Sequence, residues 1–162
     1  MLCVPSHAEY RKARPTRPLC SWPVFLPEGG SEFGDRVRRR LREEIVAWFT
    51  TVGADGTPQP NPIWFLWEGG DDILIYNRAD AARLRHLSRR PRATFHFDGN
   101  GRGGDIVVLP GEAARTEEPP PHEVPAYVEK YRDRMIRVSG SLERFSEQYP
   151  VPLRFRPEKV RD

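Results

Sequence analysis

Short segments rich in β-branched and aromatic residues dominate the middle of the chain. They cover residues 45–52, 58–68, 73–77, 92–98 and 105–115. Turn signals such as Asp55-Gly56 and Gly69-Gly70 separate them, because glycine accepts the positive φ that tight hairpins require. No regular helical crossover lies between them, so we expect hairpins that join antiparallel strands. The pattern predicts five or six antiparallel strands that close, or nearly close, into a barrel.

The remaining segments predict small helices around these strands and one more strand at the C-terminus. The helices are expected over 31–42, between Asp80 and Pro91, over 122–135 and over 141–148. Asp80 is the predicted N-cap of the second helix, and the last strand is expected over 151–160. Residues 1–30 hold five prolines and no periodic pattern. We therefore divide the chain into a disordered extension, residues 1–30, and one folded domain, residues 31–162.

Charge, hydropathy and cysteine content exclude several classes of protein. The net charge is +3, and residues 1–30 carry two of these units, which is too little for a dedicated nucleic-acid binder. No stretch approaches the ~20 apolar residues of a membrane-spanning helix, and no secretory signal is visible. Both cysteines, Cys3 and Cys20, lie in the extension, so the domain has no disulfide, thiolate zinc site or catalytic cysteine. These features predict a cytoplasmic protein.

The usual catalytic motifs are missing. Gly99, Gly101 and Gly104 fit the spacing of a dinucleotide-binding loop, but a strand follows them where such a loop needs a helix. The histidines have no metal-ligand spacing, and no nucleophile lies in a recognisable motif. We therefore predict no catalytic side chain and no metal site, and we expect a cofactor to carry any chemistry.

The segment Tyr76–Leu87 is the most informative part of the sequence. A strand ends in Asn77 and Arg78, and the helix that follows carries Arg83 and His86 on adjoining turns. Helix N-terminal amides and arginines together form a pocket for an anion such as phosphate. A strand–helix junction whose arginines are only solvated explains the same pattern, so both interpretations stay open at this point.

Two tryptophans mark the second informative segment. Trp64 and Trp67 are separated by an odd number of residues, so they should point to opposite faces of one strand. One face would fill the barrel. The other face should be covered by a partner chain or a flat ligand, because large apolar patches are rarely left bare.

The order of these segments resembles the pyridoxamine 5′-phosphate oxidase-like split-barrel superfamily. The resemblance rests on a succession of short segments over residues 34–162: Trp48–Val52, Asp55–Pro58, Pro62–Phe65, Tyr76-Asn77, Arg83–Leu87 and Arg90–Ala93. More narrowly, the chain resembles the actinobacterial branch that binds the deazaflavin coenzyme F420. The resemblance implies a mainly β fold, a six-stranded antiparallel split barrel of the FMN-binding type. It also implies a homodimer with the cofactor in a groove between the subunits.

The resemblance also implies a set of cofactor-binding residues. Arg83 stands where many relatives carry a lysine that binds the cofactor phosphate, and Asn77 and Arg78 would contact the same region. The residues Asn61, Pro62 and Trp64 would line the strand that holds the ring. His86 stands where relatives often have asparagine.

The implied activity is that of an F420-dependent oxidoreductase, which passes a hydride from reduced F420 to an unsaturated or quinone-like small molecule. No protein acid that would supply the balancing proton is evident in the sequence. Two alternatives stay open. One is an FMN-binding oxidase or flavin reductase of the same superfamily, since FMN also needs a phosphate site. The other is an F420 carrier without turnover.

Overall fold

A computed structural model describes Leu26 and residues 30–162. Six strands form one antiparallel sheet in the order β2-β1-β4-β5-β6-β3. Their bounds are β1 Ala47–Val52, β2 Pro58–Ile63, β3 Ile73–Asn77, β4 Arg92–His96, β5 Val108–Arg115 and β6 Val151–Pro157. A bridge between Leu66, just beyond β2, and Leu74 of β3 brings the two edges of the sheet together. The curled sheet confirms the predicted mainly β, six-stranded split barrel.

Four helices accompany the sheet. They are α1 Glu32–Glu43, α2 Ala82–Arg89, α3 Pro125–Ser139 and α4 Leu142–Gln148, and a 3₁₀ turn over Pro121–Glu123 precedes α3. Ser31 caps α1 by accepting a hydrogen bond from the Gly34 amide at 3.0 Å. None of the helices in the described residues is long and apolar enough to span a membrane.

Two details of the predicted helices were wrong. The N-cap of α2 is Ala81 rather than Asp80, and its side chain makes no capping bond. Asp80 instead pairs with Arg78 in the preceding turn, at 3.2 Å. The predicted helix over 122–135 is a 3₁₀ turn followed by α3, because Pro125 lacks an amide hydrogen and is suited to a first helical turn.

The buried side chains form two clusters on either side of β3, whose five residues are all buried. One cluster fills the barrel, and Leu26 packs into it together with α1; Phe49, Phe95 and Phe155 are among its largest members. The second cluster lies between the sheet and the helices α3 and α4, and it includes Tyr76, Tyr127, Tyr131 and Phe145. Apart from Leu26 and Gly30, the extension predicted for residues 1–30, including both cysteines, lies outside the described residues.

Candidate functional site

The junction between β3 and α2 holds the first two predicted binding residues. Asn77 is the last residue of β3 and is 2% exposed. Its Nδ2 donates to the carbonyl oxygens of Ile75 and Val151, each at 3.1 Å. Its Oδ1 is buried without a hydrogen-bond partner among the described residues. A buried amide oxygen without a hydrogen-bond donor costs free energy of folding. The junction therefore contains one acceptor that no described residue uses.

Arg83 lies in the first turn of α2 and is half-buried. Burial lowers the pKa of its guanidinium, and the electrostatic interaction with Tyr149 opposes this effect. Arginine nevertheless stays charged in proteins. Arg83 makes no hydrogen bond or ion pair with any residue that the structure describes. The fold therefore holds a partly desolvated cation with five donors, none of which has an acceptor in the described part of the chain.

Arg78 and His86 lie in different surroundings from Arg83. Arg78 is exposed and paired with Asp80. His86 is half-buried, and its Nδ1 lies 2.9 Å from Oγ1 of the buried Thr51 in β1. His86 lines a cleft of about 290 Å³ between α2 and the β1–β2 hairpin, together with Val52, Gly53, Ala54, Arg85, Arg89 and Arg90. Arg83 is not among the residues that line this cleft.

The three residues predicted on and after β2 do not share one surface. Asn61 is half-buried opposite Phe49, while Pro62 is exposed opposite Trp48. The half-buried Trp64 stacks on Tyr131 of α3, with ring centroids 5.0 Å apart, and on Phe145 of α4, at 5.4 Å. Trp67, by contrast, is buried in the barrel cluster.

The two tryptophans thus point to opposite faces, as the sequence predicts. The expectation that a partner chain or a flat ligand must cover the second face was wrong for Trp64, because α3 and α4 of the same chain cover it. A stacked series of rings runs from Trp64 through Phe145 to Tyr149, which neighbours Arg83. Trp64 therefore supports the same corner of the molecule that holds the unpaired guanidinium.

A family model described as pyridoxamine 5′-phosphate oxidase matches residues 33–162. The chain belongs to this family. The match covers the whole barrel together with both C-terminal helices. No curated protein matches the chain.

Several solved structures share the fold of this family member. Their descriptions name different roles. A conserved hypothetical protein from Mycobacterium tuberculosis is 20% identical, with a TM-score of 0.63 over 87% of this chain and 88% of that one. An F420 reductase is 18% identical, with a TM-score of 0.56 over 84% and 98%. A heme storage protein from Vibrio cholerae is 13% identical, with a TM-score of 0.54 over 78% and 92%. At these identities the likeness shows the fold alone.

The described residues of this family member offer a site for an anion but no metal centre. No group of three or more His, Cys, Asp or Glu side chains within residues 30–162 could hold a metal ion. An anionic cofactor fits the junction on two observations, the acceptor-free Arg83 guanidinium and the unused Asn77 Oδ1. The first would bind an oxyanion, and the second would accept a hydrogen bond from a hydroxyl or an N–H group.

Sequence reasoning missed several residues around this site. Trp64 and Arg83 are supported by three aromatic residues from the C-terminal part of the chain, namely Tyr131, Phe145 and Tyr149. Each lies more than 60 positions after the residue that it supports, so no local spacing indicated it. Arg85 and Arg89 are one helical turn apart, as are His86 and Arg90, and this spacing could have indicated a basic face. The contribution of the β1–β2 hairpin to the cleft had no signal in the sequence.

Proposed function

We propose that the chain is an F420-dependent oxidoreductase that acts on an unsaturated or quinone-like small molecule. Membership of a family with flavin-type cofactors and a fold shared with an F420 reductase are consistent with this proposal. The observation that carries it is Arg83, a half-buried guanidinium in the first turn of a helix that has no acceptor among the residues the structure describes. A cation held in this way gains from a phosphate group, because it then acquires both a counterion and hydrogen-bond acceptors.

The predicted residues contribute to this proposal in different ways. Arg83 binds the cofactor phosphate, Arg78 lies in the turn before the same helix, and Asn77 uses Oδ1 to accept from the polar chain of the cofactor. His86 belongs to the helix of Arg83 but lines a cleft that Arg83 does not. Asn61 and Pro62 of β2 position the ring, whereas Trp64, which α3 and α4 cover, supports the Arg83 corner through its stack with Phe145. When bound, reduced F420 supplies a hydride to the substrate. The protein contributes by orienting the two reactants and excluding water.

The proposed assembly is a homodimer with the cofactor groove between subunits. The outer face of the sheet supports this arrangement, because Pro60 and Pro62 are exposed beside the half-buried Trp48 and His96, whose rings stack 6.5 Å apart. These side chains form a continuous, largely apolar surface that a second copy could bury. Size-exclusion chromatography with light scattering tests the stoichiometry.

The test is a titration of the purified protein with F420 and, separately, with FMN. We expect F420 to bind near micromolar levels and Arg83→Gln to weaken it about tenfold to a hundredfold, the loss of one charge-assisted phosphate contact. Arg39→Gln, at an exposed position of α1, is the matched control and should bind as wild type. Unchanged affinity in Arg83→Gln would place the phosphate elsewhere.

The two cofactors give different outcomes. Tight FMN binding together with failure to bind F420 would reject the F420 assignment in favour of the FMN alternative. Tight F420 binding without reduction of quinones or nitro compounds would support the carrier instead. Arg83 is common to all three functions, so the Arg83 variant tests the site and the spectra test the activity.

A further inference from the structure

The cleft between α2 and the β1–β2 hairpin is lined on its helix side by four basic residues, Arg85, His86, Arg89 and Arg90. No acidic side chain lines it. Arg85 and Arg89 are exposed, and their guanidinium groups have no hydrogen-bond or ion-pair partner in the described part of the chain. Arg90 is anchored differently, because it donates to the Gly53 carbonyl oxygen at 2.8 Å and so ties the helix to the hairpin.

His86 also lines this wall. Its Nδ1 is engaged with Oγ1 of Thr51, a residue that is 1% exposed. When Thr51 donates its hydroxyl hydrogen to Nδ1, the ring proton is on Nε2, and Nε2 is the nitrogen left for a ligand. A cleft lined by guanidinium groups, with no carboxylate among its described lining residues, favours a ligand that consists of acceptors, namely an oxyanion.

Two local features reduce the positive charge of the cleft without cancelling it. The C-terminal end of α2 carries roughly half a negative charge from the helix dipole, which favours basic residues in its last turn. Asp55 lies close enough to His86 to interact, but its Oδ1 and Oδ2 are engaged by the amide and hydroxyl of Thr57, at 3.0 and 2.9 Å. Three guanidinium groups exceed these negative charges, so a net positive charge of one or more remains.

We propose that this cleft is a second anion-binding site, distinct from Arg83, that takes a small molecule with a diphosphate group. Arg85 and Arg89 are four residues apart on α2, which is about 6 Å along the helix axis, so they can contact two neighbouring phosphate units. The volume of about 290 Å³ exceeds that of a single phosphate and leaves room for a second one. This site goes beyond the proposed oxidoreductase function and does not depend on it.

Isothermal titration calorimetry with inorganic diphosphate and with orthophosphate tests the proposal on the full chain at fixed ionic strength. We expect diphosphate to bind about tenfold more tightly than orthophosphate, and the double variant Arg85→Gln/Arg89→Gln to weaken diphosphate binding by about tenfold or more. Arg39→Gln controls for the loss of surface charge and should behave as wild type. Equal affinities for the two anions, or an unaffected double variant, would overturn the proposal.

A second pair of measurements separates this site from the cofactor site. In the Arg83→Gln background, which removes the phosphate contact of the cofactor site, diphosphate should still bind the cleft, and the Arg85/Arg89 double variant should leave F420 and FMN binding unchanged. Weaker F420 or FMN binding in the Arg85/Arg89 double variant would show that the cleft is part of the cofactor site and would overturn the proposal of a separate one. Failure of the chain to bind either cofactor would refute the proposed function but not this site, because diphosphate binding is measured without cofactor.

Discussion

Lys130 in α3 is the basis for the most quantitative prediction that the structure allows. Its Nζ is buried without a hydrogen-bond partner among the described residues and lies 3.9 Å from the centroid of the Phe65 ring. Burial lowers the pKa of Lys130 to about 8 from 10.5, and Glu44 opposes this effect. The folded state therefore disfavours the charged amine relative to the unfolded chain.

The free-energy cost follows from the two pKa values. Their difference corresponds to about 3 kcal/mol at pH values below about 8, where both states bind the proton. The contact with the Phe65 ring favours the ammonium by about 1–2 kcal/mol, which reduces the net cost. We therefore expect Lys130→Met, which keeps an unbranched apolar stem, to stabilise the fold by about 1–2 kcal/mol at neutral pH.

The sign of the pH dependence distinguishes this mechanism from a simple gain in packing. Between pH about 8 and 10 the unfolded chain holds the lysine proton while the folded chain releases it, so wild-type stability should rise with pH. Above about pH 10 stability should fall again, because burial raises the pKa of Tyr76, Tyr127 and Tyr131, and only the unfolded tyrosines lose their protons there.

Urea unfolding from pH about 7 to about 9.5, at one protein concentration, measures both effects. The wild-type free energy of unfolding should rise by about 1–2 kcal/mol over this range, and Lys130→Met should show no rise. Lys159→Met, at an exposed position, should follow the wild-type curve. The reasoning fails if Lys130→Met is less stable than wild type at neutral pH, or if it retains the wild-type slope.

Two further predictions concern stability. Tyr131→Phe removes a buried hydroxyl that accepts from the Phe65 amide at 3.0 Å and lies 2.8 Å from the Ile45 carbonyl oxygen. We expect a loss of about 1–3 kcal/mol in urea unfolding, because the Phe65 amide is left without an acceptor, and a loss below ~0.5 kcal/mol would contradict this. Gly111→Ala places a Cβ against the Arg156 carbonyl oxygen and 2.8 Å from Pro157 Cα. It should lower the thermal midpoint by several degrees or prevent folding, whereas Gly70→Ala, where the Cβ meets open space, should not.

The strands were predictable because each satisfies a local rule. Alternating burial of Ala93, Phe95 and Phe97 follows from period-two hydrophobicity, and the Asp55-Gly56 turn follows from the positive φ of 87° at Gly56. The N-cap of α2 was not predictable in this way. An acidic residue one position earlier fits the sequence rule equally well, but in the fold its carboxylate pairs with Arg78 instead of capping α2.

Local sequence rules also could not predict which residues pack against Trp64, but for a different reason. The alternation of side chains fixes the face to which Trp64 points, but it does not say what lies against that face. Tyr131 and Phe145 reach it only because α3 and α4 fold back over β3, a contact made by residues far away in sequence. The sequence pattern thus gave the correct orientation and the wrong partner.

The basic residues around α2 show why a functional site depends on pairing rather than on charge content. The sequence places six arginines between Arg78 and Arg92, and no spacing rule separates them. In the fold Arg78 pairs with Asp80, Arg90 with the Gly53 carbonyl oxygen and Arg92 with Glu158, so these three are largely satisfied within the protein. A satisfied guanidinium gains little from a ligand, because binding must first replace an existing contact. The guanidinium donors of the other three arginines have no described partner. An anion can therefore bind Arg83, Arg85 or Arg89 without replacing an existing contact.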